Sequence, residues 1–340
     1  MYSFQNDYSE CCHPSITERL SLLGNEAFRG YGADRLCESA AAKIRRAIAC
    51  PEASIHFLTG GTQTNLTVIA SVLRPFEAVI AAETGHINVH ETGAIEGTGH
   101  KVLTAASSDG KLTPEMILAL LASHTDEHMV KPRLVYISDS TELGTVYTKA
   151  ELTAIYALCR QRELILYLDG ARLGAALCAS CNDLSLSDLP RLCDIFYIGG
   201  TKNGALLGEA LVISRPELAE DFRYEMKHRG AMMAKGFLLG LNFDTLFTDG
   251  LYLRLAEAAG QQAARLRQGL MDLGIPLMVD SPTNQLFPVL PNHALPCLRR
   301  DFAFEIWGPV DEEHTCIRLV TSWATTGEAV DHLLTALESF

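Results

Sequence analysis

The sequence predicts an α/β protein, with a large domain built on a mostly parallel sheet and a small C-terminal α+β domain. Three observations carry that reading. Between about residues 55 and 215, short apolar runs alternate with helix-period segments, the pattern of βαβ units with helices on both faces of a sheet. The runs are close to continuously apolar, as strands buried on both sides must be. After about residue 247 the texture changes to one long helix, short strands and a terminal helix. The division therefore falls at 1–247 and 248–340, and a chain of this length accommodates two domains at about 150 residues each.

The predicted strands of the large domain are 78–82, 134–138, 164–169, 194–199 and 209–214. Helix-period segments occupy 62–73, 114–122 and 149–162. The second opens with Thr113-Pro114-Glu115, an N-cap followed by proline at the first helical position. In the small domain a helix over 251–273 stops at Gly274, with Pro276 beyond it. Strand-like runs at 276–280 and 285–290 follow, then a proline-punctuated helix, a strand over 315–321 and a final helix from Thr326.

Composition narrows the function. Lys plus Arg number 28 against 41 Asp plus Glu, a formal net charge of −13. A nucleic-acid protein needs a basic footprint to displace counterions, and an anionic lipid surface attracts basic chains, so neither partner fits. The hydrophobic fraction of 48% against 20% charged residues suits a globular core. MYSFQNDYSE lacks a basic region followed by an apolar one, and no apolar run approaches the 18 or so residues of a membrane span. A cytoplasmic protein is expected. Ten cysteines are scattered, and only Cys178 and Cys181 form a C-x-x-C. A structural zinc site takes four ligands, so no metal site is expected and the thiols read as reduced core residues.

Ligands in open α/β sheets bind beyond the carboxyl ends of the strands, and four such ends are distinctive. His56-Phe57-Leu58 leads into Thr59-Gly60-Gly61-Thr62 and a helix. Its glycines let backbone approach a ligand, and the helix start offers free N–H groups to a phosphate. The plainer alternative is a glycine turn with Thr62 as N-cap. No G-x-x-x-x-G-K-[ST] or G-x-G-x-x-G occurs there, which weakens ATP and NAD readings. Asp169-Gly170-Ala171-Arg172 ends another strand with an acid that needs a cation or donors; a structural Asp–Arg pair is the alternative. Gly199-Gly200-Thr201-Lys202-Asn203-Gly204 follows a third strand. A lysine among small residues can be desolvated into a nucleophilic amine. His86, after Glu83-Thr84-Gly85, is a candidate for stacking on a planar ring or moving a proton.

One phosphate cradle, one buried acid and one lysine together suit pyridoxal 5′-phosphate: the lysine joins the cofactor, the acid keeps the pyridine nitrogen protonated, and the glycine turn holds the phosphate. At this point the chain resembles the low-specificity L-threonine aldolases of the aromatic amino acid β-eliminating lyase/threonine aldolase group. The likeness runs from Asn6-Asp7-Tyr8-Ser9 to Arg318-Leu319-Val320-Thr321-Ser322-Trp323. The resemblance implies the pyridoxal-phosphate fold type I, with Lys202 as Schiff-base lysine and Asp169 on the pyridine nitrogen. It further implies Arg172 near the ring hydroxyl and His86 on the ring face. Gly61 and Thr62 would hold the phosphate with Thr201, where many relatives carry serine. Ser9 and Arg318 would grip a substrate carboxylate, a task suited to the planar fork of arginine.

Ser138-Asp139-Ser140-Thr141-Glu142-Leu143-Gly144 departs from the pattern, because better-known aldolases carry histidine where Glu142 aligns. A glutamate can also take a proton from a substrate β-hydroxyl if its proton affinity is raised, and a solvent-facing turn carboxylate is the alternative. The implied reaction is cleavage of a β-hydroxy-α-amino acid, of the threonine or allo-threonine type, to glycine and an aldehyde, a carbon–carbon lyase. His86, Glu142 or water would be the base. Other reactions on the same scaffold remain open (phenylserine cleavage, β-elimination, transamination), as does a non-catalytic fold relative. The implied partners are a small amino acid substrate and further copies of the chain, in a homodimer or homotetramer.

Overall fold

A computed structural model describes residues 1–340. Thirteen strands form three sheets. The N-terminal strand is β1 (Tyr2–Ser3). The large sheet holds β2 (Ser54–Leu58), β3 (Glu77–Ala82), β4 (Val102–Ala105), β5 (Lys131–Ser138), β6 (Ile165–Asp169), β7 (Ile195–Gly199) and β8 (Glu209–Ile213). Their spatial order is β2-β8-β7-β6-β5-β3-β4. Only β8 runs against the rest. Consequently the carboxyl ends of β2, β3, β5, β6 and β7 and the start of β8 share one edge. That edge carries all four distinctive strand ends.

Strands β3, β6, β7 and β8 are buried at every position, because helices cover both faces. Alternation divides the strand side chains between two cores. Ala78, Ile80 and Ala82 enter a cluster of 36 buried residues, whereas Val79 and Ala81 enter one of 19 on the opposite face. Tyr136, Tyr167 and Tyr197 of β5, β6 and β7 all point to the second face. Register pairs Tyr136 with Tyr167 and Tyr167 with Ile195, so the three rings form a row, with centroids 5.8 Å and 6.5 Å apart. The predicted strand and helix positions of the large domain agree to within a few residues; β4 and the helices Arg35–Ala47 and Phe237–Leu246 are elements the periodicity did not single out.

The small domain differs more from expectation. β9 (Gln285–Leu286), β10 (Val289–Pro291), β12 (Glu305–Pro309) and β13 (His314–Val320) make a four-stranded sheet. Only Leu277 of the run 276–280 pairs, in a single bridge to Pro288; the run 285–290 divides into β9 and β10. The proline-punctuated helix shortens to one turn, Leu295–Leu298. β12 was missed because a register shift between Ile306 and Gly308 breaks its period. Residues 1–4, grouped on sequence with the large domain, instead reach the small one. β1 pairs in parallel with β11 (Phe302–Ala303), and Phe4 lies in the core of 15 residues there. No helix is long and apolar enough to cross a membrane.

The ends of β6 and β7 meet through glycine. Gly199 N–H donates to the Gly170 carbonyl at 2.9 Å, and a Cβ at 170 would run into the carbonyl oxygen of Tyr197. Gly170→Ala is therefore expected to destabilise the fold by about 1–3 kcal/mol or more through overpacking against rigid backbone, measurable by denaturant unfolding.

Candidate active site

The helix Gly61–Val72 follows β2 directly. Its N-cap is Gly60, not Thr62, and Gly60 has no side chain to offer. Thr62 stands in the first turn instead, so the opening N–H groups of the helix have no intrahelical acceptor and face an anion-sized opening. Around it lies a cleft of about 270 Å³ lined by Gly61, Thr62, His86, Glu142, Asp169, Thr201 and Lys202, with Tyr8, Tyr197 and Glu209 among the others. Eight of the ten residues expected on sequence (Arg172 included, by its contact network below) thus converge on one region.

Asp169 is 3% exposed, yet it is fully hydrogen-bonded. Oδ1 accepts from Ala171 N–H at 3.0 Å and from the Tyr197 hydroxyl; Oδ2 accepts from the Tyr136 hydroxyl at 2.6 Å and from Asn65 Nδ2 at 3.0 Å. Burial works against its ionisation, but nearby His86 and these donors hold the carboxyl below the ordinary aspartate range. Asn65 also donates to Glu91 at 2.7 Å and accepts from the Tyr167 hydroxyl at 2.7 Å. Glu91 in turn meets His86 Nδ1 at 2.9 Å. Burial opposes charge on His86, while Glu91, Glu142 and Asp169 draw a proton to it; the outcome is a raised pKa.

Lys202 lies in the loop 200–208 between β7 and β8, where Gly200 and Thr201 N–H both donate to the Gly208 carbonyl at 3.1 Å. Its amine opens into the cleft with no hydrogen-bond or ion-pair partner. Burial, then the Arg172 charge, pushes its pKa down; Asp7, Glu142 and Asp169 only partly offset this. Arg172 does not pair with Asp169. It forms a two-point ion pair with buried Asp7, Nε–Oδ2 2.8 Å and Nη2–Oδ1 3.0 Å. Asn284 of the small domain donates to the same carboxylate at 3.0 Å. Burial penalises the Asp7 charge, but Arg172 and Lys202 keep its pKa below normal.

Glu142 is buried at 8% exposure rather than facing solvent. Ser9 and Arg318 are not among the residues lining the cleft. Ser9 is exposed and donates to Asn6 at 2.8 Å. Arg318 is buried against Glu305, stands 5.5 Å from the Trp307 ring and leaves Nε unpaired. It donates to Gln285 at 3.4 Å, and Gln285 donates to the Thr141 carbonyl, beside Glu142, at 3.3 Å.

Sequence reasoning missed Tyr136, Tyr197, Asn65, Glu91 and Asp7. The tyrosines do carry a signal: Tyr136-Ile137-Ser138, Tyr167-Leu168-Asp169 and Tyr197-Ile198-Gly199 each set a tyrosine two places before a strand end. Asn65 and Glu91 offer none.

Residues 22–292 match the beta-eliminating lyase family. The chain belongs to that family. The lyase is 35% identical to a low specificity L-threonine aldolase of Pseudomonas sp. (strain NCIMB 10558), over 86% of this chain and 85% of the relative. It is 33% identical to another of that description from Pseudomonas aeruginosa, over 96% and 94%. A threonine aldolase structure from Leishmania major superposes with a TM-score of 0.99 at 47% identity, covering 100% of this chain and 99% of the other. Aspartate aminotransferase from Thermus thermophilus, at 16% identity and TM-score 0.74 over 100% and 91%, shares the fold. The fold is pyridoxal-phosphate fold type I, and the lyase works with pyridoxal phosphate. The residues present fit that cofactor: an unpartnered desolvated amine, an ionised buried carboxylate and an uncapped helix start open into one cleft.

Removing one member of a buried ion pair leaves the other charge unpaired. Asp7→Ala is thus expected to cost about 3–5 kcal/mol near neutral pH. Because the folded-state pKa of Asp7 is depressed, this contribution is present above the ordinary aspartate pKa of about 3.9 and is lost as pH falls below it. Denaturant unfolding of both proteins from pH 7 to pH 3 should show the gap closing at the acid end.

Proposed function

We propose that this lyase cleaves a β-hydroxy-α-amino acid of the threonine type to glycine and an aldehyde. The observation that carries the proposal is the cleft itself, with an unpartnered Lys202 amine facing a charged Asp169 in a chain so close to threonine aldolases. Lys202 would serve as the covalent anchor, since burial and the Arg172 charge lower its pKa and so favour the nucleophilic free amine. The N–H groups of Gly61 and Thr62 and the Thr201 hydroxyl would hold the phosphate. Asp169 keeps a proton on the ring nitrogen. Arg172 spends Nε and Nη2 on Asp7, which leaves Nη1 for the ring hydroxyl. When bound, pyridoxal phosphate draws electrons from the bond that breaks at the substrate α-carbon.

The imidazole of His86, oriented by Glu91 at Nδ1, would lie against the face of the bound ring. Glu91, Glu142 and Asp169 together raise its proton affinity. We assign acceptance of the β-hydroxyl proton to Glu142, whose carboxylate forms part of the same wall. The family resemblance makes Arg318 and Ser9 the residues that would grip the substrate carboxylate, although neither lines the cleft, and Gln285 couples Arg318 to the turn that carries Glu142. Holding that carboxylate would fix the orientation of the substrate α-carbon in the cleft, a positioning effect. The chain works as a homodimer or homotetramer in the cytoplasm, readings supported by the family resemblance and, for the compartment, by ten free cysteines.

Purified protein should release glycine and aldehyde from threonine or phenylserine, and neither pyruvate nor ammonia from serine; the reverse pattern would favour β-elimination. Lys202→Ala should lose the near-ultraviolet and visible absorbance of the anchored cofactor along with turnover. Asp169→Ala should retain the cofactor weakly and lose most activity. Glu142→Gln should lower kcat by about 10²–10⁴ with that absorbance unchanged; wild-type turnover would remove Glu142 from the role.

A further inference from the structure

One carboxylate in the cleft has no part in the roles above. Glu209 opens β8, the reversed strand, and therefore starts where its neighbours end. Register sets it opposite Leu58 of β2 on one side and Gly199 of β7 on the other. The turn Thr59-Gly60-Gly61-Thr62 leaves β2 immediately after Leu58, and Thr201 follows Gly199 by two residues. Glu209 thus stands between the two segments that hold the phosphate. It is 4% exposed and lines the same cleft. Its Oε2 accepts from Gly200 N–H at 3.2 Å, and it forms no ion pair.

A carboxylate ion beside a phosphate dianion in a dry cleft is repelled by it, whereas a neutral carboxyl has an O–H to give. We propose that Glu209 stays protonated in the loaded enzyme and donates a hydrogen bond to the cofactor phosphate. This rests on the reading of the cleft as the pyridoxal-phosphate site. The surroundings agree. Burial lifts the Glu209 pKa to about 8, although Thr201, Lys202 and Gly200 oppose the rise. The groups facing it are Lys202 on the turn after β7, Asp169 and Tyr167 on β6, Tyr197 on β7 and Tyr252 on the helix Leu251–Asp272. Lys202, the one cation among them, is itself pushed toward its neutral form.

Such a donor makes phosphate binding depend on pH where the phosphate itself does not titrate, since its second ionisation, near pH 6, is complete by pH 7. The experiment measures the dissociation constants of apo-protein for pyridoxal phosphate and for pyridoxal, by fluorescence titration from pH 6.5 to 9.5. Lys202 chemistry is common to both ligands, so the ratio of the two isolates the phosphate. In the parent protein the preference for the phosphorylated ligand should hold to about pH 7.5 and then fall, by about tenfold or more at pH 9.5, the limit being tenfold per unit. In Glu209→Gln, a permanent donor of similar shape, the preference should stay flat. A flat ratio in the parent, or an equal fall in Glu209→Gln, overturns the proposal. The parent measurement stands even if the variant fails to fold. Absence of any preference for pyridoxal phosphate at pH 6.5 would instead overturn the reading of the cleft.

Discussion

The structure depends on keeping one carboxylate charged where water does not reach it. An isolated ionised carboxylate in a protein interior carries a desolvation penalty of several kcal/mol or more. Asp169 meets that penalty with four donors, and hydrogen bonds to charged groups contribute about 1.5–3 kcal/mol each. The donors come from four places: its own turn, the strands β5 and β7 on either side, and the helix after β2. Each must be held by packing, so the parallel order of the sheet, the tyrosine row and the Gly170–Gly199 contact are conditions for one charge.

From that charge the remaining electrostatics follow by alternation. Asp169 and Glu91 draw a proton to His86; Arg172 suppresses the proton on Lys202 and is itself neutralised by Asp7. The buried acid is held by neutral donors and the guanidinium by the Asp7 carboxylate, while the desolvated amine is left without a partner. Asp7 and Asn284 bring that balance to the N-terminal segment and the small domain. The contact Arg172–Asp7–Asn284 thus makes the integrity of the site depend on residues distant from it in sequence.

Much of this was legible in advance because it is local. A buried parallel strand reads as a continuous apolar run, a glycine turn before a helix reads as an anion cradle, and an acid or lysine at a strand end stands out against apolar neighbours. Gly61, Asp169, Lys202 and His86 were all found this way. Elements whose period is broken, such as β12 with its register shift, were not. Nor was the helix Phe237–Leu246, where eight of ten positions are buried and no amphipathic stripe remains to be read.

By itself the sequence determined the βαβ order, the strand ends where ligands bind and the residues with unusual chemistry, since each is encoded within a few neighbouring positions. Tertiary structure alone decided the partners. Arg172 faces Asp7 rather than Asp169, 165 residues away instead of three, and Glu142 turns inward rather than to solvent. Glu209 joins the cleft only because β8 runs backward. Pairing across a sheet and between domains is set by register and packing, and those are properties of distances in space that no local pattern records.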